Sequence, residues 1–134
     1  MRMTGRCHCG GIEYEADIDP QDVIVCHCTD CQTLSGSAYR TVAFTAPDGL
    51  TLLKGEPAVY VKIADSGRER QQSFCPTCGT PIYSAPNAGG PKVYGVRVGT
   101  LDNRRELVPS KQYYCGSRLD WLPLMRAEDI GGDV

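Results

Sequence analysis

The sequence lacks the features of several common functional classes. No apolar run approaches the roughly 20 residues that a membrane-spanning helix needs, and the start, MRMTGRCHCG, has no apolar segment of the secretory type. The 14 Lys and Arg residues do not exceed the 16 Asp and Glu residues, whereas nucleic-acid binders carry a clustered basic excess. The glycine patterns of nucleotide sites are also missing. We therefore expect a cytoplasmic protein that binds neither nucleic acid nor membranes.

Long helices are a further absence. No window keeps an apolar 3.6-residue period for more than two turns, and Gly, Pro, Asp and Asn divide the chain into short β segments. Strands are predicted at residues 11–16, 22–25, 38–44, 50–53, 58–63, 71–74, 82–84 and 92–98. One helical turn is expected over 29–34, with Cys28 and Cys31 on one face. The pattern predicts a single all-β domain over 1–134, with a flexible tail at 126–134.

Cysteine is abundant instead, with 8 in 134 residues. Thiols stay reduced in the cytoplasm, and an i,i+2 pair such as Cys7 and Cys9 forms a disulfide only with strain. A single metal ion accepts both sulfurs without that strain. We therefore interpret the cysteines as metal ligands, and tetrahedral sulfur sites favour zinc.

The late Cys75-Pro-Thr-Cys78-Gly segment is the strongest local motif. Such a turn directs two sulfurs at one ion, and its glycine lets the chain reverse beside them. The early Cys-x-Cys pair can supply two more sulfurs. The predicted closed, structural zinc site has four ligands, Cys7, Cys9, Cys75 and Cys78.

The middle group of Cys26, Cys28 and Cys31 is then one sulfur short of a closed site. Three protein ligands, with the fourth position left to water or substrate, are typical of catalytic zinc. Two alternatives stay open. The late pair could share an ion with Cys26 and either Cys28 or Cys31 instead. A fourth protein ligand could also close the middle site, and the candidates are Cys115, then His27 and His8.

Other residues are expected to serve packing. If it is not a ligand, Cys115 is expected to be a small buried residue. In an extended segment His27 would point away from the neighbouring ligands, so we expect it beside the site or at the surface. Trp121 is the only Trp, and we expect it to cover the core together with Leu119, Leu122 and Leu124.

Four stretches of this sequence, GRCHCGGIEYE, CHCTDCQTLSGSAY, FCPTCGTPIYS and SRLDWLPL, fall within residues 5–125. Together they resemble the glutathione-dependent formaldehyde-activating enzyme family, which includes the vertebrate centromere protein V. The resemblance implies several small antiparallel sheets clipped together by zinc, with no long helix. It also implies two zinc ions per chain, one structural on the first and last cysteine pairs and one catalytic on the middle group.

The activity implied by the resemblance joins formaldehyde to glutathione, which is carbon–sulfur lyase chemistry in reverse. The leading hypothesis is thus a zinc-dependent enzyme that adds a small thiol to a small aldehyde at Cys26, Cys28 and Cys31. Gln32, Ser35 and Gly36 follow the ligands and could orient the substrate, and Arg40 would suit a carboxylate-bearing thiol. Structural roles for these four residues are equally compatible with the sequence.

One position departs from the family pattern. Members commonly carry a His before the Trp segment, where this sequence has Gln112 in the stretch VPSKQYYCGSRLDW. Gln hydrogen-bonds but does not exchange a proton near pH 7. A changed substrate or rate is expected if that His transfers protons in relatives.

Two other functions remain as alternatives. One is a non-catalytic zinc module for protein interaction, which predicts two closed sites, no substrate-sized cleft and an exposed apolar patch. The other is a thiol-sensing domain whose under-ligated cysteines oxidise reversibly.

Overall fold

The computed structural model describes residues 1–124. Its strands are β1 (Arg2–Arg6), β2 (Glu13–Cys26), β3 (Arg40–Lys54), β4 (Ala58–Ile63), β5 (Glu69–Phe74), β6 (Pro81–Pro86), β7 (Gly95–Arg97) and β8 (Lys111–Tyr113). The other elements are one helix, α1 (Thr29–Ser35), and 3-10 turns at Val98–Thr100, Arg104–Glu106, Cys115–Ser117 and Leu122–Leu124. The predicted all-β class, with one short helix after Cys28, is confirmed. No helix in this part of the chain is long and apolar enough to cross a membrane.

The strands form one hydrogen-bonded sheet instead of the several small sheets expected. Its order is β1-β2-β3-β7-β6-β5-β4, and β8 pairs with β2 in parallel while the other pairs are antiparallel. The difference arises in β2 and β3, each of which continues through residues that were predicted to separate two strands. Register shifts on either side of Ile18 absorb the Asp19-Pro20 step, since a bulge accepts the same residue types as a turn.

Side chains alternate between the two faces of this sheet. Ala43 and Val96 pair across β3 and β7 and are fully buried in the core. The next pair, Val42 and Arg97, lies on the opposite face. The buried core cluster comprises Met3, Cys7, Ile12, Tyr14, Ala16, Ile18, Val23, Ala43, Cys75, Ile82, Val96, Val98, Leu101 and Leu107. The face opposite this core cluster, on which Arg97 lies, is therefore available for a site.

The segment after β8 does not cover the core as predicted. Trp121 is 52% exposed, and Leu119 and Leu122 are only partly buried. Fully buried Leu101 and nearly buried Leu107 pack against the core instead, because the chain returns there directly after β7. The Leu124 side chain and the expected tail at 126–134 lie outside the described residues.

Candidate metal centres and the adjoining cavity

The first cysteine group joins the end of β1 to the turn between β5 and β6. The sulfurs of Cys7, Cys9, Cys75 and Cys78 all lie within 4.8 Å of one another. Cys75 is thus grouped with the early pair, and the structure does not bring it to the middle group. The turn reverses because Gly79 takes φ +77° and its N–H donates to the Cys75 carbonyl at 2.9 Å, a conformation that glycine adopts without steric cost.

Backbone amides support these sulfurs. The Ile12 N–H donates to Cys7 Sγ at 3.2 Å, and the Cys78 N–H donates to Cys75 Sγ at 3.5 Å. Amide donors of this kind stabilise thiolates, which are the forms that bind metal. The first group is therefore arranged to hold charged sulfurs in the fold.

The middle group lies between the end of β2 and the start of α1. Cys26 ends β2, Cys28 caps the helix and Cys31 lies in its first turn, and their three sulfurs lie within 4.8 Å of one another. The Cys31 N–H donates to Cys28 Sγ at 3.2 Å, as a capping residue accepts from the first turn. Gly36 ends the helix at φ 65°.

The pKa values in this group diverge because the sulfurs share protons. A hydrogen bond from Cys31 is the main factor that lowers the pKa of Cys26 to about 5, and burial opposes it. The same interaction, followed by burial, raises the pKa of Cys31. These interactions favour the thiolate form of Cys26, which is the form that binds metal.

The residues considered as a fourth ligand lie elsewhere. Cys115 is exposed, so the prediction that it is buried is wrong. His27 is only 1% exposed and its Nε2 lies 2.9 Å from Gln112 Oε1, so it lies beside the site and not at the surface. His8 is exposed. Among residues 1–124, no fourth His, Cys, Asp or Glu atom joins the trio.

The sulfur separations of the four-cysteine group suit a zinc ion. A tetrahedron with Zn–S bonds of about 2.3 Å has edges of about 3.8 Å. The Cys7–Cys9 sulfur distance is 3.6 Å and the Cys9–Cys75 distance is 3.8 Å. The four-sulfur group therefore fits zinc in both donor type and separation, and the middle group could hold a metal ion with three sulfur ligands.

A cavity of about 370 Å³ adjoins the middle trio. Its walls come from one face of the sheet, because register pairs Cys26 with Arg40 across β2 and β3 and pairs Gln72 with Ser84 across β5 and β6. Gly95 lies between Val42 and Ser84, and a Cβ there would come within 3.0 Å of both side chains. Basic side chains are prominent in the walls, namely Arg40, Lys62, Arg70 and Arg97.

Of the four residues expected to contact substrate, only Arg40 lines this cavity. The Gln32 side chain donates to the carbonyls of His27 at 2.8 Å and Ser117 at 3.0 Å, which ties α1 to its surroundings. Ser35 Oγ donates to the Gln32 carbonyl at 3.3 Å, and Gly36 serves the helix end. These three residues shape the ligand-bearing segment.

Sequence reasoning did not single out Arg97 or Gln72 as site residues. Arg97 is buried although it carries a guanidinium, and Gln72 accepts from it at 2.9 Å. One signal was available, since a single Arg within the apolar stretch VYGVRVG is unusual for a buried strand. No local feature marked Gln72.

The fold and the two cysteine groups define an all-β protein that could bind metal ions. The chain belongs to the glutathione-dependent formaldehyde-activating enzyme family, because a model of that family matches residues 2–117. A crystal structure of a Rhodobacter sphaeroides protein has the same fold, with a TM-score of 0.62 and 24% identity. The match covers 82% of this chain and 99% of that chain.

Proposed function

We propose that this protein is a zinc-dependent enzyme of the carbon–sulfur lyase type. It adds a small thiol such as glutathione to a small aldehyde such as formaldehyde, or catalyses the reverse. The observation that carries the proposal is a group of three cysteines, with no fourth protein ligand among the described residues, that opens on a cavity of about 370 Å³. Family membership supports the choice of reaction.

In this proposal Cys26, Cys28 and Cys31 hold the catalytic zinc, and the four-sulfur group holds a structural zinc. When bound, the catalytic ion supplies a Lewis acid that acidifies a thiol or polarises a carbonyl. In the addition a sulfur–carbon bond forms, the carbonyl π bond breaks and the thiol proton ends on the oxygen. No further reactant is needed.

The protein's own residues contribute position and charge. The cavity brings thiol and aldehyde together, which removes much of the entropic cost of a two-body reaction. Arg40 pairs with Cys26 across the sheet and lines the cavity, so its guanidinium lies near both the sulfurs and the substrate. Lys62 is oriented at the cavity wall by Asp30, with Nζ 2.8 Å from Oδ2.

The departure at Gln112 does not remove a group from the cavity wall. Neither Gln112 nor His27 lines the cavity. Their hydrogen bond instead fixes the chain between Cys26 and Cys28. Position 112 therefore contributes to the support of the chain between Cys26 and Cys28 and not to the cavity wall.

The rate of hemithioacetal formation tests the proposal. Zinc-loaded protein should accelerate the reaction of glutathione with formaldehyde above the uncatalysed mixture, measured by NMR exchange spectroscopy. Cys28→Ser should abolish the gain while one zinc per chain remains. The matched control is Cys115→Ser, whose exposed cysteine lies outside both groups and should leave the gain unchanged. A rate equal to background in the zinc-loaded wild type would contradict the proposal.

The second candidate function is a zinc-binding interaction module, and one observation favours it. Strand β4 ends the sheet and exposes Val59, Tyr60, Val61 and Ile63. Exposed apolar residues on an edge strand are typical of surfaces that contact other chains. Val59→Asp or Ile63→Asp should leave hemithioacetal formation unchanged if catalysis is the function. A variant that loses a binding partner and keeps the catalytic rate would separate the two roles.

A further inference from the structure

Strand β4 ends the sheet, and within residues 1–124 no strand pairs with its outer side. The strand at the opposite end of the sheet is covered. Gly5 of β1 forms a bridge with Leu101, and the Asp102 N–H donates to the Thr4 carbonyl at 3.0 Å. An uncovered edge offers unpaired backbone donors and acceptors to another chain. The two ends of the sheet therefore differ, and β4 is the end available for pairing.

The backbone groups that β4 directs outward belong to Val59, Val61 and Ile63. The Ala64 N–H donates to the Arg68 carbonyl at 2.8 Å where β4 meets β5, and the register continues along the whole of β4 without a shift. Hydrogen-bonded and non-hydrogen-bonded pairs alternate along an antiparallel ladder. Every second residue back from Ala64 therefore bonds to β5, and the three residues between them direct their N–H and C=O groups away from it.

The side chains of the same three residues form an apolar stripe. Val59 is 47% exposed, Val61 is 40% exposed and Ile63 is 70% exposed. The pairing across β5, β6 and β7 places this stripe on the same face of the sheet as Val96, which is fully buried in the core. The apolar face of the sheet thus continues beyond the core to an edge where it is exposed.

Strand β4 lacks the features that block pairing at a sheet edge. Proteins protect such edges with charges, prolines or bulges, whereas the six residues AVYVKI contain no Pro and pair with β5 without a bulge. The single charged residue, Lys62, lies on the opposite face, where its Nζ is 2.8 Å from Asp30 Oδ2. The stripe carries no charge, so it is complementary to a strand that is also uncharged on that face.

We propose that β4 pairs with β4 of a second copy of this chain, antiparallel and about a two-fold axis at Val61. In this arrangement Val61 lies opposite Val61 of the second copy, and Val59 lies opposite Ile63. All the outward N–H and C=O groups of the three residues then form hydrogen bonds, and each apolar side chain meets another. Lys62 lies opposite Tyr60, so no like charges meet.

Other registers satisfy the strand less well. An axis at Tyr60 would set Ile63 opposite Pro57, which has no N–H to donate. An axis at Lys62 would set two ammonium groups opposite each other, and like charges in that position are destabilising. The axis at Val61 therefore uses more of the edge than its neighbours do.

The interface is small. A strand of six residues buries less than the roughly 1,600 Å² of a standard interface, so the dimer should form reversibly as concentration rises. The stripe residues belong to neither cysteine group, and the inference does not rest on the proposed reaction. Loss of the dimer should leave the rate of hemithioacetal formation per chain unchanged.

Sedimentation and amide hydrogen exchange of the zinc-loaded full-length protein test the inference. The weight-average mass should rise with concentration from that of one chain toward that of two and no further, because a two-fold interface is closed. The amides of Val59, Val61 and Ile63 should exchange more slowly in concentrated than in dilute protein. Those of Tyr60 and Lys62, which bond to β5, should not change. A monomer at every concentration, or a dimer without this alternating protection, would overturn the inference.

A charge exchange at the axis locates the contact. Val61→Asp and Val61→Lys each set like charges opposite each other and should weaken dimerisation by about tenfold or more. An equal mixture of the two variants should recover a mixed dimer, because opposite charges then meet. Val93→Asp is the matched control, since Val93 is 42% exposed and lies outside β4, and it should dimerise as the wild type does.

Two results would overturn the assignment to β4. One is a dimer that persists in both Val61 variants, and the other is a mixture that recovers no dimer. Zinc content and near-UV circular dichroism check that each variant is folded. If a Val61 variant does not fold, a mixture of Val59→Asp and Ile63→Lys makes the same exchange one step along the strand, and its failure to dimerise would overturn the inference.

Discussion

The Nε2 of His27 lies 2.9 Å from the Oε1 of Gln112, although 85 residues separate them in the chain. The contact forms because β8 runs parallel to β2, with Gln112 beside Val25, and the His27 N–H donates to the Tyr113 carbonyl at 3.0 Å. This contact anchors His27, which lies between Cys26 and Cys28 of the middle group. Gln112 therefore supports the chain between Cys26 and Cys28.

Gln112→Ala should destabilise the fold by about 1–3 kcal/mol, because the nearly fully buried His27 imidazole loses its partner. Urea unfolding of zinc-loaded protein measures this change. Gln21→Ala, at an exposed position, should change stability by less than about 0.5 kcal/mol. Equal effects of the two substitutions would show that the contact contributes nothing.

Gly5 is required by close packing against a tyrosine. A Cβ at Gly5 would lie 2.4 Å from the Tyr14 ring and hydroxyl and 2.8 Å from the Thr100 carbonyl. Gly5→Ala should therefore cost about 1–3 kcal/mol or more, because overpacking displaces a fully buried side chain. Gly99→Ala, where a Cβ meets nothing within 4 Å, is the control. Thermal unfolding compares the two, and similar melting temperatures would contradict this account of β1.

Stability should fall at alkaline pH because of Tyr14. Burial is the main factor that raises its pKa above the ordinary value of 10.0, while the hydrogen bond with Thr100 opposes the shift. A raised pKa in the folded state means that the stabilisation is complete below pH 10 and is lost as pH rises further. The free energy of unfolding should drop by about 1.4 kcal/mol per pH unit there from this group alone.

Tyr14→Phe tests the assignment. It removes the titrating group and the 2.5 Å contact with Thr100 Oγ1, but Thr100 keeps its bond to the Arg97 carbonyl at 2.8 Å. The variant should be slightly less stable at pH 8 and should show a weaker decline above pH 10. A decline as steep as that of the wild type would assign the effect to other groups.

The four-sulfur group should matter more for folding than the trio does. It ties the end of β1 to the β5–β6 turn, and metal bound at such a clip contributes folding free energy directly. Cys78→Ser should therefore lower stability by several kcal/mol, whereas Cys28→Ser should lower it by less, because Cys26, Cys28 and Cys31 are close in sequence. Chelator-dependent unfolding, with zinc content per chain, measures both. A larger loss in Cys28→Ser would reverse the assignment of structural and catalytic sites.

The cysteine groups could be predicted because their signal is local. In Cys75-Pro-Thr-Cys78-Gly79 the ligand spacing and the turn glycine lie within five residues of sequence, and the short helix over 29–34 follows from the same reasoning. The continuity of β2 and β3 could not be predicted in this way. Asp19-Pro20 and Asp48-Gly49 are compatible with a turn or with a bulge, and only long-range pairing decides between them.

The residues of the cavity wall could not be predicted for the same reason, because long-range strand pairing brings them together. Arg97 reaches the site because β7 pairs with β3 and places it opposite Val42, and Gln72 comes from a strand two places further along the sheet. No sequence feature within a few residues of Arg97 or Gln72 predicts that their side chains come into contact. For Trp121, large apolar size suggested burial, but Leu101 and Leu107 already pack against that core.

In the proposed reaction, an ion held by Cys26, Cys28 and Cys31 would bind a thiol from outside the protein. The most direct measurement is the absorption spectrum of the protein loaded with cobalt at both sites, recorded as glutathione is added. The bands of one cobalt per chain should change and reach saturation as glutathione is added, and this change should be lost in Cys28→Ser. A spectrum that glutathione leaves unaltered in the fully loaded wild type would contradict the proposal.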